Sequence, residues 1–405
     1  MVRSGSEEAE TVMRANGAAS ARVRRRAESA VLWAGKNDLP PHGYLVASCR
    51  RSGETIRELH WGQPLNGERA LGREVTLGGR RAGREHPVTV RIISPRLLAE
   101  FARAPEDVIV CYELGLVGLY AGLSKILPRR RVVSLVEGDY RHLGRTGTVA
   151  LKVILRRFAA RLIDVFVANN ELAKGYLVST LKVPEEKIVM GWWLAGLPPD
   201  LTARVPGKGP TVPEGVPLFV SAGRLIPPKG IDLLIKAIAT YRRDLGPCVL
   251  WILGDGPEMA GLIELARRLE VDDAVAFLGT VDHEGLKGAL DACDAFVFPT
   301  LRDFTGRVAV EALTAGVPVV VSPMTGAAET IVQDGVNGIV VDPTDTHALA
   351  EALHRAVNPQ TSAALRAGVQ RMNRSLTPDA AAEVILRAVT LARRGTTAGE
   401  GPRPS

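Results

Sequence analysis

The sequence predicts an α/β protein of two parallel-sheet domains, and three observations carry that prediction. Short apolar runs alternate with helical periodicity along most of the chain, as strands and crossover helices of parallel sheets do. Pro198, Pro199, Pro206, Gly207, Gly209, Pro210, Pro213, Gly215 and Pro217 crowd an interval where that periodicity stops, which marks a domain boundary. The 405 residues, 46% hydrophobic and 5% aromatic, are enough for two cores of ordinary size.

Taken in order, residues 1–40 read as a polar, partly helical extension whose Arg22, Arg24, Arg25 and Arg26 suit a solvated face. From Tyr44 the runs YLVAS, VTVRII, VIVCY and VVSLV read as strands of a first domain, 41–205, with helical patterns over 97–102 and 117–127. Over 149–163, Leu151, Ile154, Leu155, Phe158 and Leu162 form one apolar stripe, with Lys152, Arg156, Arg157 and Arg161 largely outside it. Core packing accounts for that stripe, and membrane contact is its alternative. Asn169-Asn170-Glu171 reads as a helix N-cap. Trp192 and Trp193 suit a core, or a platform for a sugar ring. A second domain, 206–372, runs through LFVSA, VLWIL, AVAFLG, AFVFP, VPVVVS and GIVVD. Residues 378–394 are helical, and the Gly/Pro/Thr tail 395–405 has nothing to bury.

Composition narrows the function classes. No apolar run approaches the roughly 18 residues of a membrane span, and Glu7, Glu8 and Glu10 are foreign to a secretory leader, so a cytoplasmic location is expected. Cys49, Cys111, Cys248 and Cys293 are scattered, without the spacing of a zinc site or a disulfide framework. None of the seven histidines shows metal-ligand spacing. Residues 1–205 hold 32 Lys and Arg against 21 Asp and Glu, a net +11, while residues 206–405 hold 19 against 23, a net −4. An arginine-rich composition accounts for the basic first half, and an anionic acceptor or an acidic membrane surface is the alternative. No nucleic-acid partner is expected.

The stretch PTLRDFTGRVAVEALTAGVP, residues 299–318, carries the chemistry. Ala295 to Phe298 reads as a buried strand, and Val308, Val310, Ala312 and Leu313 shift to helical spacing after Gly306. Gly306, Arg307 and Val308 therefore open a helix, where unpaired N–H groups and a partial positive charge suit a diphosphate. Glu311, about a turn along, is placed to accept hydrogen bonds from vicinal ribose hydroxyls. Asp303, before the turn, would face what the diphosphate carries; an Asx turn capping Thr305-Gly306 is the competing reading.

The pair Asp303 and Glu311, with seven residues between them after Pro299-Thr300, resembles the acidic pair of GT-B retaining glycosyltransferases, family 4. Ser221-Ala222-Gly223-Arg224-Leu225 through Lys229-Gly230 resembles that family's phosphate-binding segment. Glu329 with Asp334-Gly335-Val336-Asn337-Gly338 resembles its closing turn. The resemblance is strong from about Leu218 to Pro343 and general before Gly215. It implies two Rossmann-like domains facing across a cleft, the first for the acceptor and the second for a nucleotide-sugar donor. It also implies a helix at 373–394 crossing back to the first domain, retention of anomeric configuration, and no cofactor or required metal. Arg224 and Lys229 would hold the diphosphate, and Gly254, in Gly254-Asp255-Gly256-Pro257, would form pocket wall. As a dinucleotide fingerprint that turn fails, because Met259 stands at the third glycine position.

Three departures from the family pattern stand out. Asp303 occupies a position where glutamate is more frequent, and Arg307 one that is commonly apolar. Glu137 follows the run VVSLV where the family frequently has a histidine-containing turn; it would stabilise positive charge at the anomeric carbon or cap the next helix. Asp139, Arg141 and Arg145 lie just beyond it. The expected activity is transfer of a sugar to an acceptor hydroxyl, with small-molecule and natural-product acceptors in view. The alternatives are a GT-B nucleotide-sugar epimerase and a catalytically silent nucleotide-sugar binder.

Overall fold

The computed structural model describes residues 30–35, 41–60, 72–77, 80–81, 84–85, 88–93, 96–112, 114–126, 130–137, 147–194, 196–204, 212–303 and 305–395. The first domain's main sheet holds β1 (Ala30–Gly35), β2 (Thr55–His60), β7 (Val108–Tyr112), β8 (Arg131–Val136), β9 (Val165–Ala168) and β10 (Ile188–Met190). Their spatial order is β10-β9-β8-β7-β1-β2, with every pair parallel. β3 (Gly72–Leu77) pairs antiparallel with β6 (Val88–Ile93), and β4 (Arg80–Arg81) with β5 (Arg84–Glu85), apart from that sheet.

Four expectations change here. Ala30–Gly35 is a central strand between β2 and β7, so the extension drawn over residues 1–40 runs too far; Val31, Leu32 and Trp33 are at most 1% exposed. Six residues of AVLWAG were diluted by the polar residues around them. YLVAS lies in the helix Pro41–Arg51, because Leu45, Val46 and Cys49 are buried together at helical spacing. Arg50, Arg51, Ser52 and Gly53, which follow YLVAS and on a strand reading would rim the cleft, instead end this helix and lead into the amino end of β2. VTVRII is β6, outside the parallel sheet.

The fourth change concerns the helix Gly147–Leu162, whose predicted core stripe faces water at Ile154, Leu155 and Phe158. Ala159, Ala160 and Ile163 are buried instead. A Cβ added to Gly122, on the helix Leu116–Leu123, would stand 2.6 Å from Leu162 Cβ. Small residues let these two helices approach closely, which turns the larger side chains outward.

The second sheet holds β11 (Leu218–Ala222), β12 (Val249–Leu253), β13 (Val275–Gly279), β14 (Ala295–Phe298), β15 (Val319–Val321) and β16 (Gly338–Val340). All pairs are parallel in the order β13-β12-β11-β14-β15-β16, the doubly wound arrangement in which strand order reverses between β11 and β14. Such sheets bind ligands beyond the carboxyl ends of the strands at that reversal.

The helix Pro378–Arg394 returns to the first domain. Its Ala381, Ala382, Ile385, Ala388, Val389 and Ala392 pack with Val31, Trp33, Val110 and Leu135 in one core. The Thr377 hydroxyl caps its start by accepting from Ala380 N–H. Near its end the Arg393 guanidinium sits 2.6 Å from Glu54 and 2.7 Å from Asp107, clamping the helix to the entries of β2 and β7. The four cysteines are free and buried; burial pushes the thiols of Cys49, Cys111 and Cys248 up to about 12.

Candidate active site

Four loops meet beyond the carboxyl ends of β11, β12, β14 and β15. Gly223 N–H donates to the Leu253 carbonyl and Leu225 N–H to that of Asp255, both at 2.9 Å. The Pro228 carbonyl accepts from Leu301 N–H and from the Thr300 hydroxyl, each at 2.8 Å. Asp303 N–H reaches the Met324 carbonyl at 3.1 Å, and Gly326 N–H the Asp303 carbonyl at 3.1 Å. Two glycines permit this convergence. A Cβ on Gly254 (φ +127°) would lie 1.9 Å from the Gly223 carbonyl oxygen, and one on Gly306 (φ +69°) 2.4 Å from Thr325 Oγ1.

Asp303 is the hub of this layer. Its Oδ1 accepts from Gly306 N–H at 2.6 Å and from Thr305 N–H at 3.0 Å, which is the Asx turn. Its Oδ2 lies 2.5 Å from Lys229 Nζ, which also stands 5.2 Å from the Phe298 ring centre. The Gly306 N–H is thus taken, contrary to the expectation that it is open to a phosphate. The next two N–H groups, of Arg307 and Val308, have no intrahelical acceptor, because the helix Arg307–Thr314 begins there. Arg224, just past Gly223, is exposed, and its guanidinium pairs with no described residue.

Glu311 lies inside that helix's buried face, 3% exposed. Arg307 Nε pairs with Glu311 Oε1 at 3.5 Å, and no close hydrogen bond among the described residues satisfies that oxygen. Burial pushes the Glu311 carboxyl up, and Arg307 works against that shift. Val308 is half-buried against the second domain's core.

The first domain contributes Glu137, directly after β8. Its Oε1 accepts the Thr305 hydroxyl, joining the two domains across the cleft. Tyr112, at the end of β7, belongs to the same cluster. Its hydroxyl is pushed well above the ordinary range by burial and by Glu137, and Arg307 draws it down. The Tyr112 ring stands edge-on to Trp193 at 5.1 Å. Burial and Arg307 lower His283.

Sequence reasoning missed the Thr305 hydroxyl and Tyr112. Tyr112 carried a usable signal, since it ends the strand VIVCY beside the order reversal of its own sheet. Trp193 is fully buried and belongs to the core. Asn170 caps its helix by accepting Ala173 N–H at 2.7 Å. Asn337 fastens the closing turn, accepting from Gln333 N–H at 2.8 Å and donating to the Ile331 carbonyl at 2.9 Å. Asp139, Arg141 and Arg145 lie outside the described residues.

Residues 208–369, which carry nearly all of this layer, match the model of the family "Glycosyl transferases group 1". This segment is similar to that family. The chain also aligns with curated relatives. Glycogen synthase of Mycobacterium tuberculosis (strain CDC 1551 / Oshkosh) is 34% identical over 169 residues, 42% of this chain and 39% of that protein. The GDP-mannose-dependent alpha-(1-6)-phosphatidylinositol monomannoside mannosyltransferase of the same strain is 28% identical over 351 residues, 78% of this chain and 86% of that protein. The chain spans about two fifths of the length of the glycogen synthase, 39%.

Solved structures extend the likeness to both domains. Sucrose-phosphate synthase from Thermosynechococcus elongatus superimposes with a TM-score of 0.68 at 16% identity, covering 90% of this chain and 98% of that one. HepE of Anabaena, solved in complex with UDP, gives 0.65 at 18% identity, covering 89% and 99%. The fold is the two-domain GT-B arrangement that the sequence predicted.

Proposed function

We propose that this chain transfers a sugar from a nucleoside diphosphate sugar to an acceptor hydroxyl, with retention of anomeric configuration. The buried Glu311 carboxylate, whose Oε1 has the Arg307 cation nearby but no close hydrogen bond, carries this reading. A ribose hydroxyl supplies the hydrogen-bond donor that Oε1 lacks in its dry surroundings, so the residues present fit a nucleoside there. That a structural neighbour is described with UDP and UDP-glucose supports the same class of donor.

Around that anchor, the Arg307 and Val308 N–H groups and the Arg224 and Lys229 cations are assigned to the diphosphate, with the loops of Gly223 and Gly254 as its walls. The acceptor oxygen bonds to the anomeric carbon as the bond from that carbon to the β-phosphate oxygen breaks. The electron pair stays with the phosphate, whose charge Arg224 and Lys229 stabilise, and that oxygen takes the acceptor proton on the same face. Glu137, held in the cleft by Thr305, stabilises positive charge building at the anomeric carbon. Asp303 acts through Lys229 and the Gly306 turn, which it orients. Domain closure excludes water from the donor.

Thermal unfolding against UDP, GDP, ADP, dTDP and NAD tests this assignment. Stabilisation by one nucleoside diphosphate, lost in Glu311→Ala, is expected. A response to NAD alone, or one unchanged in Glu311→Ala, overturns it.

A further inference from the structure

The helix Gly147–Leu162 leaves large apolar side chains in water: Ile154 is 60% exposed, Leu155 48% and Phe158 48%. Their spacing of one, three and four residues places them on one arc of the helix. Leu116, on the packed helix Leu116–Leu123, is 41% exposed. Arg161 is exposed one turn beyond Phe158 on the same arc. Arg157 lies at its edge, its Nε 2.7 Å from the Thr180 carbonyl. This domain is also the basic one, residues 1–205 holding 32 Lys and Arg against 21 Asp and Glu.

An exposed apolar patch of this kind marks a contact surface, and its charge says which. Apolar side chains enter the boundary between headgroups and acyl chains, while arginines beside them meet phosphates. We propose that this helix docks the first domain on an anionic lipid surface. The docking spans no bilayer, since no helix among the described residues is long and apolar enough to cross one. It does not depend on the reaction assigned to the cleft, and the residues involved are separate from those assigned to the donor.

Sedimentation of the full chain with vesicles of phosphatidylglycerol in phosphatidylcholine, against phosphatidylcholine alone, tests the proposal. The wild type is expected to bind the anionic vesicles, and added NaCl to weaken that binding. The double variant Ile154→Ser/Phe158→Ser is expected to lose about tenfold or more, and Arg161→Glu about fivefold. An unchanged thermal midpoint in each variant shows that the fold is intact. Equal vesicle binding by the wild type and the double variant overturns the proposal, as does no binding by the wild type. A dimer in light scattering that the double variant abolishes and anionic vesicles leave unchanged also overturns it, assigning the arc to a second copy of the chain.

Discussion

Lys229 Nζ lies 2.5 Å from Asp303 Oδ2, and Asp303 Oδ1 receives the Gly306 N–H at 2.6 Å. One carboxylate therefore ties the loop after β11 to the turn that opens the helix Arg307–Thr314. It orders a cation and a helix terminus before any anion arrives, so their ordering cost is met during folding.

Asp303→Asn keeps an oxygen for the two backbone N–H groups and loses the pairing with Lys229, whereas Asp303→Ala loses both. Urea unfolding is expected to show Asp303→Ala destabilised by about 1–3 kcal/mol and Asp303→Asn by about half as much. Equal losses would show that the turn contributes nothing beyond the ion pair.

Burial raises the Glu311 carboxyl above its ordinary 4.5. The folded protein therefore holds a proton that the unfolded chain has released, and stability falls as pH rises from about 4.5 towards the raised folded value. Thermal unfolding of the ligand-free protein across that window is expected to show a steeper decline in the wild type than in Glu311→Gln. Parallel pH profiles would place the charge elsewhere.

Thr305→Val removes the hydroxyl that Glu137 accepts while nearly conserving volume. Losing about 1 kcal/mol of interdomain hydrogen bonding shifts a closed-to-open equilibrium about fivefold. Small-angle scattering is expected to report a larger mean radius of gyration than in the wild type. An identical curve would show that other contacts hold the domains.

Arg393 joins the returning helix to Glu54 and Asp107, with its side chain 26% exposed. Arg393→Ala leaves both acids without their cation and is expected to cost about 1–3 kcal/mol in urea unfolding, with nucleotide response retained. A loss of that response at unchanged stability would contradict a structural role.

The second domain was legible because its information is local. The strand AFVF, the Gly306 turn and the acid a turn later all fall within a short stretch, and backbone geometry alone brings them to one sheet edge. Asn170 was readable as a cap for the same reason: a side chain bonding three residues on needs no distant partner. The strand Ala30–Gly35 was not legible, because its burial comes from β2 and β7. Nor was the exposure of Ile154, Leu155 and Phe158, since periodicity records that a helix has an apolar face and cannot say whether anything covers it.

By itself, then, the sequence determined the α/β class, the doubly wound second domain, and the order along the chain of Gly223, Lys229, Asp303, Gly306 and Glu311. Tertiary structure decided the pairings: that Asp303 holds Lys229 and the Gly306 amide, that Glu311 keeps an oxygen without a close hydrogen bond, that Thr305 meets Glu137 from the other domain, and that the stripe on Gly147–Leu162 faces outward. Hydrophobic periodicity and turn chemistry act over a few residues, whereas pairing and exposure depend on which distant surfaces the chain brings together.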